Sequence, residues 1–99
     1  MILQEQREPL VDAIRGYNLL PKGQKDILIK LLDFEEGITM QDLVNIMNQS
    51  KQALFLKVKK LLDKQFIIRE KDMVYIYKIN SSKMLSILDR HITLKSKQQ

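Results

Sequence analysis

The sequence contains no cysteine. Disulfide scaffolds, thiolate zinc sites, iron–sulfur clusters and cysteine nucleophiles are therefore excluded together. Histidine is nearly as scarce. His91 is the sole one in 99 residues, so a single chain cannot assemble a histidine metal cage or a Ser-His-Asp relay. The three glycines form no phosphate-cradling loop. The acidic residues are scattered and no nucleophile–base pair is apparent. The sequence thus predicts no enzyme, no metal and no cofactor. Long apolar runs are also missing: the longest, Ile27 to Leu32, is broken by Lys30 and is too short to span a membrane. The first residues, Met1 to Glu8, show no basic start and no small-residue cleavage site, so no signal peptide is expected. A reducing cytoplasm is the expected compartment.

What is present is the mix of an ordinary globular chain, with 44% hydrophobic and 29% charged residues, at the length of one domain. The charge is unevenly placed. Residues 1–49 hold five Lys/Arg against eight Asp/Glu, a net −3, and residues 50–99 hold twelve against four, a net +8. A mildly acidic half joined to a strongly basic half suggests a surface made for a polyanion. A solvated basic surface with no partner is the alternative that charge alone leaves open.

The apolar spacing predicts a succession of short helices and one hairpin. Pro9 suits the first turn of a helix, and Leu10, Val11, Ile14 and Tyr17 mark its buried stripe. Pro21 opens a second helix with Ile27, Leu28, Leu31 and Leu32 inward, stopped by Glu35-Glu36-Gly37. Ile38 fits one short strand. Thr39 and Asp42 fit a capping pattern for a short helix carrying Leu43, Ile46 and Met47. Asn48 can take the left-handed conformation that ends a helix, and Ser50 is a good cap for the next one. That helix has Leu54, Val58, Leu61 and Leu62 on one face and Gln52, Leu56, Lys59, Lys60 and Asp63 on the other. Phe66 to Ile68 and Val74 to Ile79 are strand-forming runs around a charged turn, Arg69-Glu70-Lys71-Asp72. A last amphipathic helix carries Met84, Leu85, Ile87, Leu88, His91 and Ile92, before a frayed tail from Lys95.

Three stretches together resemble a winged helix-turn-helix domain, closest in pattern to the MarR and TrmB types of transcription regulator. They are Leu20-Pro21-x-x-Gln24-x-x-Ile27-Leu28, then Ile38-Thr39-x-x-Asp42-Leu43, then Ser50-x-x-x-Leu54-x-x-x-Val58-x-x-Leu61 leading to Phe66-Ile67 and a hairpin. The resemblance implies a mainly α fold with a small β-hairpin: a three-helix core plus wing over residues 21–80, with extra helices at 1–20 and 81–99. It also implies that the Ser-capped helix, residues 50–64, enters a DNA major groove while the wing touches the minor groove or phosphates. The sequence departs from the family at Gln65, where many members have Gly, which predicts a different helix end. The wing turn is short and lacks an Asp-x-Arg element. Leu56, flanked by Phe55, sits near the centre of the exposed helix face.

On this reading Lys59, Lys60, Arg69 and Lys71 are the phosphate contacts, which give affinity without reading sequence. Lys51 and Gln52 reach bases, Gln52 by two hydrogen bonds to adenine. Ser50 and Thr39 are mainly caps, Thr39 with a further contact to phosphate. No arginine lies on the helix, so sequence preference is modest. Leu56 either touches a thymine methyl or, with Phe55, forms a hot spot for a protein partner. The expected role is a DNA-binding transcriptional regulator, and the alternative is a protein-interaction module in a larger assembly. The stripes of the first and last helices need cover, which a homodimer supplies unless they fold back on their own domain. Tyr75 and Tyr77 are read as sheet-packing residues, His91 as a boundary residue, and the methionines as packing.

Overall fold

The computed structural model describes residues 4–97. A single 3-10 turn, Gln4–Gln6, leads into α1 (Arg7–Arg15), followed by α2 (Lys22–Leu31), β1 (Ile38–Thr39), α3 (Met40–Met47), α4 (Lys51–Asp63), β2 (Ile67–Asp72), β3 (Val74–Ile79) and α5 (Ser81–Lys97). The three strands form one antiparallel sheet in the order β1-β3-β2. This is a mainly helical fold with a small sheet, arranged as a winged helix.

Local signals account for most of the helix ends. Pro9 lies in the first turn of α1, and Pro21 caps α2 in extended backbone. Its carbonyl accepts hydrogen bonds from the Gln24 and Lys25 amides. The Thr39 hydroxyl accepts from the Asp42 amide at 3.1 Å, and the Ser50 hydroxyl from the Ala53 amide at 3.2 Å. Each satisfies one of the donors a helix start leaves without a partner. Asn48 ends α3 at φ 54. Asn80 caps α5, its Oδ1 accepting from the Lys83 amide at 3.4 Å.

The core is one cluster drawn from every helix and from the roots of the strands. Leu10 and Ile14 of α1, Ile27, Leu28 and Leu31 of α2, Leu43 of α3, Leu54 and Leu61 of α4, and Met84 of α5 are fully buried. Ile67 and Tyr77 close the cluster from the sheet. The inward stripes of α1 and α5 pack against each other, and α1 also packs on α2. The terminal helices therefore fold back on their own domain, so a partner is not needed to cover those stripes. Leu85, Ile92 and Leu94 of α5 and Leu19 remain exposed.

Several local expectations need correction. Arg69 to Asp72 do not form a turn. They continue β2, pairing residue by residue with Val74 to Tyr77, and the chain reverses at Met73, whose φ is 65. Their low strand propensity is overridden by pairing with the β-branched and aromatic run of β3. Tyr75 is not packed into the core; it is 46% exposed on the wing. Met73 does not pack either. The α2 helix ends at Leu31, before the Glu35-Glu36-Gly37 stop, and α5 continues through Lys97. Gln65 adopts φ 67, the left-handed conformation that Gly would supply. The Phe66 amide bonds back to the Leu61 carbonyl, and the Gln65 amide to the Leu62 carbonyl. That pair of bonds is a Schellman ending, here with a glutamine at the position usually given to glycine. It lets Phe66 turn inward with Leu61, both buried.

Gly37 is where backbone freedom is required. Its φ is 90, and a Cβ there meets Ile76 Cγ2 at 2.5 Å and the Tyr77 carbonyl oxygen at 2.9 Å. A bare backbone at this point lets β1 reach β3, with Ile38 opposite Tyr77 and Thr39 opposite Ile76.

Candidate nucleic-acid interface

The left-handed Asn48 and the Ser50 cap set the turn between α3 and α4. The apolar stripe Leu54, Val58 and Leu61 then fixes the rotation of α4 by turning inward. The other side of the helix follows from its period. Lys51, Gln52, Phe55, Leu56, Lys59, Lys60 and Asp63 are all exposed. Leu56 is 61% exposed and Phe55 48%. Lys51, Lys59 and Lys60 form no ion pair with any of the described residues. Their charge is therefore carried outward without an internal partner.

The remaining lysines of the α4 region behave differently. Lys57 Nζ donates to Gln49 Oε1 at 2.8 Å, which ties the helix to the turn before it. Lys64 Nζ donates to Gln24 Oε1 at 3.0 Å, which ties the end of α4 to α2. Gln24 is the one buried polar side chain among the described residues. A raw charge count does not separate these two from Lys59 and Lys60. Helical spacing does, because Lys57 and Lys64 stand four and three residues from Leu61 and so lie beside the buried stripe.

The wing adds a second cationic element. Arg69 lies over the Tyr75 ring, 4.4 Å from its centroid, and Lys71 Nζ lies 5.6 Å from it. Such contacts hold flexible cations in place while leaving their charge unneutralised. On the other side of the hairpin Glu70 is paired with Lys78 at 2.7 Å, which removes a carboxylate from competition. Between α4 and β2 runs an open groove of about 790 Å³, lined by Phe55, Lys59, Asp63, Ile68, Arg69 and Asn80 among others. Lys59 of the helix and Arg69 of the wing thus face one space.

Of the residues singled out from sequence, Lys51, Gln52, Leu56, Lys59 and Lys60 share the outward surface of α4, and Arg69 joins Lys59 across the groove. Lys71 follows Arg69 along the wing. Ser50 is exposed at the start of α4 with its hydroxyl occupied as a cap. Thr39 stands apart, half-buried on β1, with its hydroxyl likewise occupied. The exposed Met73 at the wing apex has no counterpart in the sequence reading. With the turn read at Arg69 to Asp72, nothing in the sequence put Met73 at the apex.

Among the described residues no cluster of His, Cys, Asp or Glu is placed to hold a metal, and no helix is long and apolar enough to cross a membrane.

No curated protein matches the sequence. A similar architecture is found in the crystal structure of the ST1889 protein from the thermoacidophilic archaeon Sulfolobus tokodaii. It superposes with a TM-score of 0.61 at 22% identity, over 97% of this chain and 99% of that one. At that identity the likeness speaks for the fold alone. One protein family matches by sequence, over residues 35–92, which is more than half of the chain and takes in α3, α4, the whole wing and most of α5. On that match the chain belongs to the family described as the B-block binding subunit of TFIIIC.

Proposed function

We propose that this protein binds double-stranded DNA with a modest sequence preference, α4 lying in the major groove and the wing alongside it. The observation that carries this reading is the outward face of α4. Lys51, Lys59 and Lys60 project there without ion-pair partners among the described residues, and Arg69 faces the same groove as Lys59. Cations so placed release counterions from both phosphate edges of a groove. Gln52, in the first turn of the helix, is positioned as the base reader. The family's description, a subunit that binds a B-block, supports a nucleic-acid role from a separate direction. The role is binding without catalysis.

The finer reading is a dimeric transcriptional regulator of the MarR or TrmB kind. The Ser-capped helix followed by a hairpin supports it, as do the apolar residues left exposed on α5, Leu85, Ile92 and Leu94. A two-fold pair places two α4 helices about 34 Å apart, one turn of duplex. Titration against random and genomic duplexes at two salt concentrations tests the binding, with molar mass measured alongside. The expected result is affinity that falls steeply with salt, by about 0.9 log units per tenfold salt for each phosphate contact, and a mass twice 11.7 kDa. Lys59→Glu combined with Lys60→Glu abolishes duplex binding and leaves the fold intact. Salt-independent binding, or none to any duplex, overturns the reading.

The exposed pair Phe55 and Leu56 supports a second reading, a protein-docking module in a larger assembly. Leu56→Asp separates the two. Loss of a protein partner with nonspecific DNA affinity retained favours docking.

A further inference from the structure

The wing ends in a residue that the fold does not need there. Asp72 and Val74 are paired across the hairpin, so Met73 alone closes it, at φ 65. Positive φ is unfavourable for a side chain of this size, and Gly, Asn or Asp are the residues such a turn normally takes. Met73 is also 95% exposed, the most of any large apolar residue described, and it is followed by the exposed Val74 and Tyr75. It therefore neither relaxes the turn nor packs against anything. A strained and unburied apolar residue directs attention to function rather than to stability.

Reach and charge indicate what this apex meets. In β2 only Ile67 is buried and in β3 only Tyr77, so the outer part of the hairpin stands clear of the core. The six residues from Ile67 to Asp72 span roughly 20 Å at strand rise. Half a turn of duplex, the step from a major groove to the next minor groove, is about 17 Å. A wing of this length brings its apex to the neighbouring minor groove when α4 occupies the major groove. Arg69 and Lys71, held over Tyr75, supply positive charge behind the apex, while Lys78 neutralises Glu70. The apex itself carries no cation. Its nearest charge is the exposed Asp72, which phosphates repel. An apex meant for phosphates has the opposite chemistry. An unbranched, polarisable methionine suits the apolar planes and edges of base pairs.

We infer that Met73 is an apolar wedge that enters the minor groove and partly unstacks one base step, so that binding bends the duplex. Proteins that bend DNA from the minor groove use side chains of this kind in this way. The inference rests on the DNA-binding reading given above and adds to it a site and a deformation.

The test uses the full chain and 20-base-pair duplexes, random and A·T-rich, with a donor and an acceptor dye at opposite ends. Energy transfer rises when the wild-type protein binds, reporting a shortened end-to-end distance. Met73→Gly returns the transfer to that of free DNA and weakens binding about tenfold, while the salt dependence stays the same because no phosphate contact is lost. Met73→Leu keeps the bend. Thermal melting of Met73→Gly is at or above that of the wild type, since Gly suits the positive φ, and this separates loss of the wedge from loss of the fold. If the wild type binds duplex without bending it, or Met73→Gly bends it equally, the wedge is wrong and the DNA-binding reading stands. If no duplex binds at all, both fall.

Discussion

In the α1–α5 pair the apolar stripes meet, and Leu10, Ala13 and Ile14 lie in the same buried cluster as Met84, Ile87 and Leu88. In the α4–wing unit only one side is used in this way. Leu54, Val58 and Leu61 turn inward, while Lys59 and Lys60 turn out together with Phe55 and Leu56. Both regions come from amphipathic sequence, yet the first closes on itself and the second presents a surface. The difference lies in what occupies the outward positions and in what holds it there. On α5 the exposed apolar residues are Leu85, Ile92 and Leu94. On α4 and β2 the outward residues include Lys59, Lys60, Arg69 and Lys71, set on elements fixed by a helix cap, a Schellman ending and two cations lying on Tyr75. Amphipathicity alone, therefore, does not distinguish a scaffold helix from a contact helix.

The contrast within α4 is the easiest to break. Leu54→Ala, at a fully buried position, is expected to cost about 2–5 kcal/mol, through lost transfer energy and the cavity left behind. Leu56→Ala on the outward side is expected to stay within about 0.5 kcal/mol. Denaturant midpoints of the two variants check this, and equal losses show that α4 is seated differently. Gly37→Ala probes the root of the wing. The positive φ and the approach of Ile76 and Tyr77 lead to an expected loss of about 2 kcal/mol, read by thermal melting. The smallest expected effect is at the other region. Arg7 Nε donates to Asp33 Oδ1 at 2.8 Å, joining α1 to the end of α2. The hydrogen bond from Arg7 holds the Asp33 carboxyl below its usual range. A carboxylate with a lowered folded-state pKa adds stability that is complete above its unfolded pKa and is lost as pH falls through the folded value. Asp33→Asn is therefore expected to lower stability slightly near neutrality, to flatten the acid limb of a stability-versus-pH curve, and to leave the acid end almost unchanged. The groups are partly solvent-exposed, so screening keeps the effect small. An unchanged acid limb shows that the pair contributes nothing in solution.

What the sequence made legible was local. Thr39, Asn48 and Ser50 act within four residues of themselves, and each performs the role its type suggests. The outward face of α4 follows from helical period, and Gln52, Leu56, Lys59 and Lys60 are where that period puts them, while Lys51 is exposed as the first residue of the helix. What it hid was set by contacts between distant segments. The strand character of Arg69 to Asp72 comes from β3 and not from those residues. Gln65 takes a glycine-like backbone because Phe66 must be buried next to Leu61. Lys57 and Lys64 count as surface charges in a composition, yet their partners Gln49 and Gln24 make them ties within the domain. Whether the stripes of α1 and α5 would meet each other or a second copy was likewise a tertiary question.

Asn80 links three parts of this structure at once. Its side-chain amide donates to the Gln65 carbonyl at 2.9 Å, its backbone amide to the Phe66 carbonyl at 3.0 Å, and its Oδ1 begins α5. Lys83, one turn further on, lies over the Phe66 ring at 5.2 Å. The trailing helix is thereby hinged on the exit of α4. A torque applied to that helix, by a second copy or by any polypeptide that grips it, reaches the lysine-bearing face through this asparagine as well as through the shared core.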